Sequence, residues 1–186
     1  MRKSYIIIFA LLLYGCASQL PESNKVSKSP WETFEECKDD YEKITLYKTT
    51  MKDLKDLGFD PFTTPNIKVL NHLSVLKMFN YDPDHKEDFP KGVLECIEAR
   101  EECSVYDITI NHINTKRTGP FFKDFLNFKR VSVSSGWIFK SLIIVNNDLV
   151  VFKLWGGTPK VDEVDVKKNP LGPLQGAGSW GTKIIP

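Results

Sequence analysis

Three histidines, four cysteines and no Cys-x-x-Cys pair leave this chain of 186 residues little material for metal or redox chemistry. His72, His85 and His112 show no ligand spacing with the cysteines, so neither a metal nor a cofactor is expected. A Gly-x-Ser-x-Gly elbow, the sequence mark of one large hydrolase class, is absent as well. The paired carboxylates Asp39-Asp40 and Asp162-Glu163 lie in charged stretches and read as solvated surface. Gly176 to Gly181 spells a dinucleotide fingerprint, but that chemistry needs a strand before it and a helix after it, and only five residues follow Gly181. An excess of one charge is also missing. With 25 basic and 24 acidic side chains the net charge is +1, and it becomes −1 once Arg2 and Lys3 are set aside with the leader described next. Binding to nucleic acid rests on surplus Lys and Arg, so no nucleic-acid partner is expected. These gaps together point away from an enzyme.

Long apolar runs are scarce too. The longest, Tyr5 to Tyr14, has ten residues, against the roughly 20 that a membrane-spanning helix needs. It follows the positive pair Arg2-Lys3 and fits the h-region of a secretory signal. Leu13-Tyr14-Gly15-Cys16 then resembles the lipobox of bacterial lipoproteins, in which a small residue precedes a cysteine. The cysteine is required because a diacylglycerol is attached through its sulfur. The expectation is a signal peptide over 1–15 and a lipid-bearing Cys16 at the mature N-terminus. By the same resemblance, Ala17 implies sorting to the outer membrane, with the domain facing the periplasm. Several acyl chains on one residue anchor far better than a single chain.

What remains is ordinary globular material: 41% hydrophobic and 26% charged residues, enough for one core. Residues 16–30 read as a polar tether, 31–156 as the domain and 157–186, rich in Gly and Pro, as an extended tail. The first half carries helical spacing. Ser29-Pro30 suggests a cap ahead of Trp31 and Phe34; Thr50 with Asp53 caps a helix that Gly58 ends; Thr64-Pro65 opens a third with Ile67, Leu70, Leu73, Leu76 and Phe79 on one stripe; Pro90 to Arg100 forms a fourth. The second half turns to β-branched and aromatic runs over 105–110, 126–133, 137–145 and 149–155. Ser134-Ser135-Gly136 reads as a turn and Asn146-Asn147-Asp148 as a hairpin connection. The fold class expected is α+β, with N-terminal helices on one face of a three- to four-stranded antiparallel meander.

Thr49-Thr50-Met51-Lys52-Asp53-Leu54-Lys55-Asp56-Leu57-Gly58-Phe59-Asp60-Pro61, a threonine-capped helix ending Leu-Gly, resembles a segment of the small SmpA/OmlA-type lipoprotein of the outer-membrane β-barrel assembly machine. The hairpin Trp137–Trp155 would match that family's final strands. The resemblance implies a protein-interaction module at the inner face of the outer membrane, without catalysis.

Two candidate sites follow from the residues. Cys37, Cys96 and Cys103 would lie in an oxidising compartment, where disulfides form. Cys96 and Cys103 can pair only if a helix ends near Glu101, and Cys37 with either is the competing choice. Asn114 to Arg130 interleaves Phe121, Phe122, Phe125 and Phe128 with Lys116, Arg117, Lys123, Lys129 and Arg130 against one acid, Asp124, for a local charge of +4. One reading is a short amphipathic helix whose rings join the core. The other is an interaction patch, formed by Lys116, Arg117, Phe121, Phe122, Lys123, Lys129 and Arg130, that touches anionic head groups or an acidic partner. The expected function is a non-catalytic protein-interaction module of the envelope, membrane-bound through its lipid and docking an envelope protein. The alternative is a small-ligand or lipid-binding lipoprotein, which would need an apolar cavity between helices and sheet.

Overall fold

Reciprocal caps set where the helices begin. In the computed structural model, which describes residues 20–172, the Glu36 amide donates to the Thr33 hydroxyl and the Thr33 amide to the Glu36 carboxylate, both at 3.2 Å. Helix α1 therefore runs Phe34–Glu42 rather than starting at Pro30. The same box between Thr50 and Asp53 opens α2, Met51–Asp56, which Gly58 (φ 89°) leaves as read. The expected third helix is instead two elements. Ile67–Leu70 is strand β2, and Asn71 caps a short α3, His72–Met78. Helix α4, Lys91–Ala99, buries Val93 and Cys96 as anticipated.

The sheet has five strands. Glu22–Val26 is β1, Cys103–Thr118 β3, Lys129–Asn146 β4 and Leu149–Lys168 β5. The order is β1-β3-β4-β5, with β2 also paired to β3, Ile67 opposite Ile108 and Leu70 opposite Val105. Mixed α+β with an antiparallel sheet is thus the architecture. Two stretches assigned to tether and tail, 22–26 and 157–168, are strands. Ser134–Gly136 is not a turn but lies inside β4. Asn147 and Asp148, with φ of 48° and 67°, form the tight β4–β5 connection that the sequence announces.

Helices cover both faces of the sheet, not one. Alternate residues of a strand point to opposite faces. Ile143 and Val145 of β4 join Phe34, Cys37 and Tyr41 of α1 and Leu54 of α2 in one buried cluster. Ile144, between them, joins Val75 of α3 and Val93 and Cys96 of α4 in a second. On β3, Tyr106 and Ile108 belong to the first cluster and Val105 to the second.

Close contacts divide the chain into two compact units, to which β3, β4 and β5 each contribute. The larger comprises Lys25–Ile113 and Gly136–Val161 and holds every buried apolar residue of both clusters. The described part of the smaller is 20–24, 114–135 and 162–172. Its fully buried side chains are polar, Asp124 and Asn169, and no large apolar side chain is fully buried there.

Candidate functional site

Within the smaller unit the chain between β3 and β4 makes one helical turn, α5, Phe121–Phe125. Gly119 (φ 116°) and Pro120 turn the chain into it, and the Pro120 carbonyl accepts from the amides of Lys123 and Asp124. Asn127 (φ 59°) turns it out again, and the Phe128 amide donates to the Lys123 carbonyl at 2.8 Å. A half-buried ion pair fastens this turn to β3: Asp124 is 4% exposed, and its Oδ1 accepts from Arg117 Nη1 at 3.2 Å. Asp124 Oδ2 has no partner among the described residues.

The turn thus spends its one acid inward and its rings outward. Phe121 is half-buried and stacks on Phe125 with centroids 5.7 Å apart. Phe122 is 63% and Phe125 70% exposed, and Leu126 and Phe128 are exposed beside them. The rings do not join a core. The residues that cap Phe128 come from beyond β5: the Asn169 amide donates to the Phe128 carbonyl at 2.9 Å, and Gly172 sits so close to the Phe128 ring that no Cβ would fit.

Of the seven residues expected to form the patch, Phe121, Phe122 and Lys123 lie on α5 and Lys129 and Arg130 open β4. Lys116 and Arg117 sit on β3 but are already engaged, Lys116 with Glu22 at 3.5 Å and Arg117 with Asp124. Glu22 also accepts from Asn114 at 3.0 Å. Lys123, Lys129 and Arg130 have no ion-pair partner among the described residues; Lys123 is exposed, Lys129 and Arg130 are half-buried, and Arg130 Nε is buried. Sequence reasoning named Phe125 and Phe128 among the interleaved rings but left them out of the seven-residue patch, and it missed Leu126; all three are exposed. It also missed Val164 and Val166 of β5, exposed in the same unit, because that stretch was read as tail. Their Val-x-Val alternation was the available signal.

Cys96 and Cys103 are joined in a disulfide, with Cα atoms 5.1 Å apart, and α4 ends between them at Ala99 as such a bond requires. Cys37 is a free, buried cysteine. Cys16, the leader and Gly176–Gly181 lie outside the described residues.

His112 stacks flat on Trp137 at 4.6 Å, and its Nε2 lies 3.3 Å from the Ser29 hydroxyl. That hydroxyl is also within reach of the Trp31 carbonyl at 3.2 Å. No third group orients the imidazole among the described residues, and burial lowers its pKa from the ordinary value. Among the described residues no three His, Cys, Asp or Glu side chains converge as metal ligands. An open groove of about 350 Å³ in the larger unit is lined by Met78, Leu142, Leu154 and Trp155 with Lys140 and Asp107.

No family model, curated protein or solved structure matches the chain.

Proposed function

We propose that the chain is an outer-membrane lipoprotein, anchored through Cys16 and facing the periplasm, that acts as a non-catalytic interaction module of the cell envelope. The anchor rests on the lipobox reading of residues 13–16. The docking role rests on one observation: the smaller unit exposes Phe122, Phe125, Leu126 and Phe128 beside three cations that have no ion-pair partner among the described residues, and among those residues it buries no large apolar side chain. Exposed apolar clusters rimmed by charge mark contact surfaces. The ligand-binding alternative calls for an apolar cavity between helices and sheet. Fully buried side chains such as Phe59, Phe139, Ile144 and Val93 fill both clusters, and the open groove between Met78 of α3 and Leu142, Leu154 and Trp155 of the sheet is what the ligand-binding alternative would use.

Membership of the assembly-machine lipoprotein family stays within this proposal. The Thr50-capped helix and the closing hairpin support it. Strands β1 and β2, set before and between the helices, depart from the helix–helix–meander order behind the resemblance.

A photo-crosslinking residue at Phe125 of the full chain, expressed in its native envelope, tests the docking role. Adducts to an envelope component are expected from position 125 and not from Lys52, an exposed position of α2. Membrane fractionation without any adduct at 125 would remove the docking reading. Loss of acyl labelling in Cys16→Ala checks the anchor separately.

A further inference from the structure

We propose that the partner of this surface is an anionic lipid bilayer: α5 seats on the membrane, Phe122 and Phe125 enter the head-group layer, Lys123 faces lipid phosphates, and Lys129 and Arg130 at the start of β4 add positive charge beside it. The inference rests on the lipid-anchored reading above and names the partner of the same site.

Two features of the smaller unit carry it. The first is charge. Asp124 is buried against Arg117, and Glu22 is engaged by Lys116 and Asn114. Asp124 and Glu22 are thereby engaged, while Lys123, Lys129 and Arg130 beside the exposed rings have no ion-pair partner among the described residues; the remaining acids of the described part of this unit, Asp162, Glu163 and Asp165, lie on β5. Basic residues around exposed aromatic rings are the composition that binds anionic interfaces.

The second is the leash. The reading of the sequence allowed a tether reaching to Pro30, yet β1 begins at Glu22. Six residue steps from Cys16 to Glu22 span at most about 20 Å fully extended. Glu22 belongs to the same unit as α5, and its carboxylate is bonded to Asn114 and Lys116 on the strand that leads there. An acylated Cys16 therefore holds this unit, with its exposed rings and cations, close to a bilayer surface.

The test uses the full acylated protein in vesicles, with an environment-sensitive dye on Leu126→Cys and a control dye on Lys52→Cys. Cys37 is buried and does not compete for the label. In vesicles containing phosphatidylglycerol the dye at 126 is expected to shift to the blue and to be quenched by lipid-borne quenchers, while the control stays in water. High salt reverses the shift in the unmodified background. Lys123→Gln, Lys129→Gln and Arg130→Gln together lower the docked-to-free ratio roughly a hundredfold, at the contribution typical of a basic residue near an anionic surface. All of these variants still float with the vesicles. A dye at 126 that stays in water while the protein floats overturns the proposal and leaves the anchor intact. Protection that appears only at high protein density, whatever the lipid, assigns the surface to a second copy and overturns it too. Failure to float removes the anchored reading itself.

Discussion

Cys37 lies fully buried on α1, and burial, with a smaller contribution from the charge of Asp40, pushes its thiol up to about 12 from an ordinary 9. The thiolate is the reactive form, so the folded protein should leave Cys37 unlabelled by maleimide at neutral pH and release it only in denaturant. The same shift ties stability to pH. A folded-state pKa above the unfolded one contributes stability that is whole below pH 9 and is lost progressively as pH rises toward about 12. Tyr41, on the same helix, is raised by burial as well and adds to the loss at higher pH. Urea midpoints measured from pH 7 to 10 should fall above pH 9, and Cys37→Ala should flatten the first part of that fall. Gly136 makes a different residue-scale case. Its φ is 142°, and a Cβ there would run into the His112 carbonyl on β3. Gly136→Ala is expected to cost about 3 kcal/mol, from backbone strain plus the displaced strand, read from urea unfolding.

At the scale of elements, what the sequence disclosed was what local bonding decides. Thr50 with Asp53, and Gly58 after them, announce α2 because cap and helix lie within ten residues. The Asn147-Asp148 turn is legible because its backbone accepts few other residues. Ile67 and Leu70, by contrast, share the three-residue spacing of a helical stripe with Leu73 and Leu76. Pairing with β3, thirty-five residues or more along the chain, draws the first two into β2. Strands β1 and the end of β5 escaped notice because their side chains are exposed on both faces, which leaves no apolar alternation in β1 and only the short Val164-x-Val166 one in β5. Ser134–Gly136 reads as a turn by composition, yet Gly136 serves a close approach between strands. The patch was half legible for a related reason. Spacing gives α5, but whether its rings turn in or out depends on whether the unit around them holds a core.

At the scale of the whole molecule, the same three strands cross from a unit with two apolar clusters into one with none among its described residues. Local stability follows buried apolar contact. Amide exchange should therefore be faster in 114–118 and 129–135 than in 103–113 and 136–146 of the same strands β3 and β4. Hydrogen-exchange mass spectrometry of the protein free in detergent reads this directly, and equal protection along each strand would contradict it.

The short span between Cys16 and β1 also changes how strongly the exposed rings must bind. A surface leashed within some 20 Å of its target meets it at an effective concentration in the millimolar range, as short flexible linkers generally provide. A contact with millimolar affinity, useless to a protein arriving from solution, would then be engaged about half of the time. Modest changes in lipid charge or ionic strength would therefore be enough to raise or lower its occupancy.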